Sequence, residues 1–167
     1  MILLNLVSVG LVEDTASVIV VLRAEDMARL LVMEVGLLEG RAIAMEAEGV
    51  KSPRPLTHDL MYQMIQGLGA SVEAVQIRDF QDHTFFANLV LSREGGTHVE
   101  FDARPSDAIA LALRSGAPIY VDERVLETAG ITEEEAGEEI DLEIDDAPED
   151  DEDDIVDDGD EEEPIVH

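Results

Sequence analysis

The chain has 167 residues, a formal net charge of −30 and no cysteine. This length is enough for one domain with a sizeable core, and the lack of cysteine excludes disulfides, thiolate catalysis and cysteine-based zinc sites. All 10 basic residues and 19 acidic residues lie before Glu133, whereas the other 21 acidic residues lie between Glu133 and Glu163. The sequence therefore predicts a domain over residues 1–131, followed by a disordered acidic tail over 132–167 that buries too little apolar surface to fold.

Three interpretations of the tail remain open: a solubilising segment, a nucleic-acid mimic that inhibits the domain, and an adaptation to high salt. The start of the chain lacks the basic region and the small-residue cleavage site of a signal peptide. Its apolar stretch, Met1 to Leu11, is too short to cross a bilayer. We therefore expect a cytoplasmic protein without a membrane partner.

Hydrophobic periodicity predicts the elements in chain order. Strands at about 3–12, 17–24 and 29–35 precede a helix at 37–48, and strands at 71–79, 84–92 and 97–102 precede a helix at 105–115. A helix over Thr57–Leu68 joins these series, and a strand over Pro118–Val121 and a helix over Glu123–Ala129 follow. A shift of 66 residues superimposes the two series without a gap. We predict an α+β fold with duplicated βββα halves and a largely antiparallel sheet packed with helices. The alternative to duplication is that the two halves look alike only because they share the same hydrophobic periodicity.

Two helix starts carry similar polar residues. In the first, Arg54-Pro55 is followed by Thr57, His58 and Asp59; in the second, Asp102 and Arg104-Pro105 are followed by Ser106 and Asp107. Proline fits the first helical turn, and that turn favours oxygen ligands because its N–H groups are free. In the 66-residue repeat, Asp102 to Asp107 fall on Gly36 to Arg41. The first half therefore keeps the helix without the polar start, which predicts that it is scaffold.

Four segments together resemble the bifunctional nuclease domain family, which is described as acting on both RNA and DNA. These are Arg54–Leu60, Asp82–Ala87, Asp102–Arg114 and Ala117–Val121. The resemblance covers about residues 1 to 131 and implies a nuclease with nucleic acid as its substrate. Two positions depart from the family pattern: His83 stands where a turn glycine is usual, and Gly40 replaces a usual alanine.

Phosphodiester cleavage needs charge stabilisation at the phosphoryl oxygens and proton transfer. The candidate phosphate-binding residues are Arg54, Arg104 and Ser106, because guanidinium groups and a first-turn hydroxyl suit phosphate oxygens. The catalytic candidates are His58, because histidine is the side-chain type suited to proton transfer near neutral pH, and the carboxylates Asp59, Asp102 and Asp107. Asp102 and Asp107 are also candidate ligands for Mg²⁺ or Mn²⁺.

The same residues allow other interpretations. Thr57 with Asp59, and Ser106 with Asp107, satisfy helix N-termini without catalysis, and Arg104 has the chemistry for a structural ion pair with either aspartate. The alternative function is a non-catalytic regulatory module that binds an anionic ligand or a protein partner at the two Arg-Pro helix starts. Homo-oligomer formation is left open. If the two starts form one site, Arg54 or His58 must lie within side-chain reach of the second start.

Overall fold

The computed structural model describes residues 1–12, 15–25, 27–93 and 95–137. Its first half contains the strands β1 (Ile2–Val12), β2 (Ser17–Ala24) and β3 (Leu30–Gly36) and the helix α1 (Leu37–Ala47). Helix α2 (Thr57–Gly67) leads to the second half, which contains β4 (Ala70–Gln81), β5 (Thr84–Arg93), β6 (Thr97–Ala103) and helix α3 (Pro105–Ser115). Strand β7 (Ile119–Val121) and helix α4 (Glu123–Ala129) follow.

The strands form one seven-stranded sheet in the order β3-β2-β1-β7-β4-β5-β6. Strand β7 pairs antiparallel with β1 and parallel with β4, and the other neighbouring strands are antiparallel. The two halves therefore extend outward from β7 and run in opposite directions, as two copies related by an axis near β7 would. The predicted α+β class, the two βββα halves and the largely antiparallel sheet are confirmed.

Helix α3 lies at the centre of the core. Its residues Ala108 to Ala112 are fully buried, and α1 and α2 both pack against it. Rotation of α3 would expose these apolar side chains to water. Their burial therefore fixes the orientation of the helix and the position of its polar first turn. Within the described residues, no helix is long and apolar enough to cross a membrane.

Helix α1 packs unusually close to strand β2. A Cβ atom added at Gly40 would lie 2.3 Å from the Cβ of Val18, so no larger residue fits at this distance. The glycine in place of the family's usual alanine is thus matched to a valine beneath it. This contact fixes the distance between α1 and the sheet, and therefore also the position of the first turn of α1.

The fold continues beyond Ile131, the predicted end of the domain. Residues 133–137 are helical. The turn is capped by Thr132 and Glu135, each of which accepts a hydrogen bond from the backbone N–H of the other. Ala136 is buried against the cluster of Val21 and Leu30. The remainder of the predicted acidic tail, residues 138–167, lies outside the described residues, so its predicted disorder stays a prediction.

Candidate functional site

The first turns of α2 and α3 meet on one face of the sheet. Nε2 of His58, in the first turn of α2, lies 2.9 Å from Oδ1 of Asp107 in the first turn of α3. The two residues are 49 positions apart in the chain. This contact confirms the expectation that the two helix starts lie within side-chain reach of each other.

Arg104 links this pair to the first turn of α1. Pro105 begins α3 and holds Arg104 in an extended conformation, with φ −65° and ψ 139°. The guanidinium then donates from Nε to Oδ2 of Asp107 over 2.7 Å and from Nη2 to Oε1 of Glu39 over 2.8 Å. The four side chains form one hydrogen-bonded cluster, which we call the His58 cluster: His58, Asp107, Arg104 and Glu39.

The electrostatics of this cluster keep Asp107 ionised. Partial burial raises the pKa of its carboxyl, but hydrogen bonds from Arg104 and His58 outweigh burial and hold that pKa below its usual value. The same contacts with Asp107 and then Glu39 raise the pKa of Arg104. The cluster therefore holds the ionised carboxylate of Asp107 against the guanidinium of Arg104, and Glu39 adds a second carboxyl group to the same guanidinium.

His58 has one ring nitrogen engaged and one available. The residue is only 6% exposed, and Asp107 occupies Nε2. In the part of the chain that the structure describes, every fully buried side-chain nitrogen or oxygen has a hydrogen-bond partner. Nδ1 of His58 forms no hydrogen bond with the other described residues, so it is the ring nitrogen that remains for another partner. In the neutral imidazole, an ionised Asp107 favours the proton on Nε2 and leaves the lone pair on Nδ1.

Asp59 belongs to a second, separate ion pair. Its Oδ2 accepts the backbone N–H of Leu56 over 2.8 Å, and its Oδ1 accepts Nε of Arg114 over 2.6 Å. Burial raises the pKa of Asp59, but the Leu56 N–H and Arg114 outweigh it, so the pKa lies below its usual value. The Arg114 side chain is 5% exposed and also donates to the carbonyl oxygens of Ala42 and Ala110. This pair fastens α2 to α1 and α3.

The predicted partners of Arg104 are thereby resolved. Of the two aspartates considered for an ion pair, Arg104 takes Asp107, and Asp59 takes Arg114. Sequence reasoning included Arg114 in the motif but gave it no role. The available signal was a charged residue directly after the apolar run Ala108–Leu113 of α3, since a buried arginine requires a carboxylate partner.

Glu39 is the site residue that sequence reasoning missed. It lies in the first turn of α1, in the half that was predicted to be scaffold only, and its carboxylate turns back over Gly36. A Cβ atom added at Gly36 would lie 2.5 Å from Oε2 of Glu39. The glycine before α1 therefore leaves the space in which Glu39 can reach Arg104, and the first half does contribute to the polar cluster.

Asp102 points away from this cluster. It pairs with Asn88 across β5 and β6, and the side chain of Asn88 donates to Glu100 on that face of the sheet. The next residue, Ala103, packs against the core. Because side chains alternate along a strand, Asp102 lies on the face opposite to the one that carries α3.

The predicted metal pair is not supported by this geometry. Asp102 and Asp107 lie on different sides of the sheet, and both oxygens of Asp107 already accept hydrogen bonds. Among residues 1–12, 15–25, 27–93 and 95–137, no group of three or more histidine or acidic side chains is arranged to hold a metal ion. The residues as placed do not fit a preformed Mg²⁺ or Mn²⁺ site.

The other two phosphate-binding candidates lie in the two helix starts that carry His58 and Asp107. Arg54 is exposed in the segment before α2 and forms no ion pair within the described residues. Ser106 is buried in the first turn of α3, and its hydroxyl forms no hydrogen bond with the other described residues. A cleft of about 330 Å³ opens beside Pro55 and Leu56 and is also lined by Lys51 and Tyr62.

The fold and the site define a small α+β domain in which helix starts from both halves assemble a histidine–aspartate–arginine–glutamate cluster. Residues 20–134 match the model of the bifunctional nuclease domain, and the chain belongs to this family.

Curated relatives match the same region. The chain is 46% identical over 113 residues to an uncharacterized protein of Mycobacterium tuberculosis, a match covering 68% of this chain and 66% of the relative. It is 32% identical over 121 residues to bifunctional nuclease 1 of Arabidopsis thaliana, covering 71% of this chain and 37% of the relative. For bifunctional nuclease 2 of the same plant the identity is 32% over 115 residues, with shares of 67% and 35%. The matched region is thus about a third of the length of these plant proteins.

Proposed function

We propose that this protein is a nuclease that hydrolyses phosphodiester bonds in RNA and DNA with little sequence preference. Membership of the family and the names of its plant relatives support a nuclease. The observation that carries the proposal is the His58–Asp107 contact, because a carboxylate that fixes one imidazole nitrogen leaves the other oriented for proton transfer. The scarcity of lysine and aromatic residues argues against reading a base sequence.

In the proposed reaction, Nδ1 of neutral His58 accepts a proton from a water molecule as the water oxygen attacks phosphorus. The bond between phosphorus and the leaving oxygen breaks, and the leaving oxygen takes a proton from solvent. Ionised Asp107 stabilises the imidazolium that forms, as the carboxylate does in other histidine–aspartate pairs. Arg104 holds Asp107 in position through Nε, and no step requires a bound metal ion.

Three groups are available for the phosphate of the substrate. Arg54 is exposed and forms no ion pair with the described residues. Nη1 of Arg104 takes no part in the bonds to Asp107 and Glu39, and Ser106 lies in the first turn of α3, which has free N–H groups. Helix N-termini of this kind bind anions through their N–H groups and dipole. The surrounding charge is unfavourable, however, since the chain carries −30. We therefore expect weak binding of nucleic acid.

The test is cleavage of end-labelled single-stranded RNA and DNA by the full chain, with EDTA and with added Mg²⁺ or Mn²⁺. Losing a general base costs roughly 10²–10⁴-fold in rate, so His58→Gln and Asp107→Asn are expected to lower cleavage at least about 100-fold. The matched control is His98→Gln, because His98 pairs with Glu73 in an exposed contact elsewhere on the sheet. That variant is expected to stay within about twofold of the wild-type rate, an experimental margin well below the general-base effect.

The outcomes separate the two functions. Cleavage that persists unchanged in folded His58→Gln protein refutes the proposed role of His58 and indicates a contaminating nuclease. Nucleic-acid binding without turnover in every protein favours the non-catalytic module instead. Circular dichroism and thermal unfolding of each variant show whether a lost activity reflects lost folding.

A further inference from the structure

A groove of about 560 Å³ lies away from the His58 cluster. Val18 of β2 faces α1, so its neighbour Ile19 points to the opposite face of the sheet. Ile19 lines the groove together with Val32 of β3, and the tip of the β4–β5 hairpin and the end of α4 form its other walls. Its apolar walls are half-buried side chains: Ile19, Val32, Phe80, Phe85, Ala129 and Ile131.

One wall of the groove is also an unpaired strand edge. Strand β3 is the last strand of the sheet, and Leu30 at its start exchanges both backbone hydrogen bonds with Ile131 across the outer edge. Backbone groups of alternate residues point the same way along a strand, so Val32 and Glu34 direct their N–H and C=O groups to that edge. Among the described residues, no backbone group forms a hydrogen bond with Val32 or Glu34 on this outer edge. An apolar groove beside a free edge suits an extended segment with alternating apolar side chains.

The chain itself carries such a segment at the right place. The described residues end at Gly137, one residue after Ala136, which lines the groove. A further 30 residues follow, and they begin with Glu138 and Glu139 and then Ile140-Asp141-Leu142-Glu143-Ile144. In an extended conformation the three apolar side chains of this sequence share one face. The linker from Gly137 to Ile140 spans roughly 10 Å at most, since each residue adds about 3.3–3.6 Å.

We propose that Ile140–Ile144 docks in this groove within the same chain. The three apolar side chains fill the groove, the backbone pairs with the free edge of β3, and the two acidic side chains between them face solvent. Glu34 lines the same groove, so charge repulsion opposes docking at low salt. Salt screens this repulsion, with a Debye length of about 10 Å at 0.1 M, so docking strengthens as the salt concentration rises. Electrostatic attraction of an acidic tail to a basic site would show the opposite dependence and weaken with added salt.

The test compares amide NMR spectra of three full-length chains at 0.15 M salt. The test variant carries Ile140→Ser, Leu142→Ser and Ile144→Ser. The matched control carries Ile155→Ser and Val156→Ser, which remove apolar residues further along the acidic sequence. We expect shifted amide signals at Val32, Glu34, Phe85 and Ala129 in the test variant alone, with the signals of α2 unchanged as a check on the fold.

Thermal unfolding gives a second readout. The test variant is expected to unfold about 3 °C below the other two chains, a shift typical of a small loss of packing in a domain of this size. Identical groove signals in all three proteins would overturn the proposal. So would equal perturbation by the control variant, which would mean a general effect of the tail. If the docked signals disappear on dilution, the groove binds the segment of a second copy, and the intramolecular proposal is wrong.

Discussion

Replacing Asp59 with asparagine tests what fastens helix α2 to the core. Asparagine keeps the shape of the side chain and an oxygen that can accept the Leu56 N–H, so the variant removes mainly the negative charge. Arg114 is then left 5% exposed without its counter-charge, although its bonds to the carbonyl oxygens of Ala42 and Ala110 remain. The loss of stability therefore measures the ion pair and not the cap of α2.

The magnitude follows from the burial of the pair. Breaking a fully buried ion pair by removing one partner costs about 3–5 kcal/mol. The Asp59 side chain is 29% exposed, so water compensates for part of this loss, and we expect Asp59→Asn to lower the free energy of unfolding by about 2 kcal/mol. For a folded region of this size, that corresponds to a fall of about 8 °C in Tm.

The loss should depend on pH with a definite sign. Because the pKa of Asp59 is lower in the folded protein than in the unfolded chain, its contribution is fully present above the unfolded value of about 3.9. It is lost as pH falls through the lower folded pKa. The difference between wild type and Asp59→Asn should therefore be constant from about pH 8 to 5 and shrink below about pH 4.

Urea unfolding at low protein concentration is the suitable assay, because the isoelectric point of about 4.1 favours association in the acidic range. Asp82→Asn, in the exposed β4–β5 turn, is the control for removal of one negative charge. Equal stability of Asp59→Asn and Asp82→Asn at pH 7 would refute the ion-pair argument. A difference that persists undiminished to pH 3 would refute its electrostatic origin.

Three further substitutions test the local geometry. Gly40→Ala should destabilise the fold by about 1–3 kcal/mol through its clash with Val18, and adding Val18→Ala should recover part of that loss in a double-mutant cycle. His83→Gly should raise stability by up to about 1 kcal/mol, because His83 has a φ of 59° and glycine adopts positive φ without steric cost; an unchanged or lower Tm would contradict this. Gly36→Ala should displace Glu39 and lower activity in the nuclease assay without abolishing folding by circular dichroism.

Most of the fold was predictable because the periodicity of its elements is strong. Alternating apolar residues mark the long strands, and the predicted bounds differ from the observed ones by one or two residues. The pairing of β7 between β1 and β4 was not predictable, because three residues carry no register information. The helical turn at 133–137 was hidden by its composition, since Ala136 is its one buried residue among acidic neighbours.

The site was predictable only in part, for a related reason. Arg104 and Asp107 are three residues apart, and a helix start places such residues together. The contact of His58 with Asp107 followed from treating two similar helix starts as one site. Asp102 was assigned to the same site because it lies close to Asp107 in sequence. Its direction, however, depends on the alternation of β6, which turns it to the other face.

Glu39 could have been predicted from the repeat itself. In the 66-residue shift, Leu38 falls on Arg104 and Glu39 on Pro105, so the ion pair between Glu39 and Arg104 joins nearly equivalent positions of the two halves. Equivalent positions of two copies can touch only near the axis that relates the copies. The palindromic strand order places that axis near β7, and the first turns of α1 and α3 therefore meet above the centre of the sheet. A polar residue in either first turn is a candidate for the shared cluster, whichever half carries the recognisable motif.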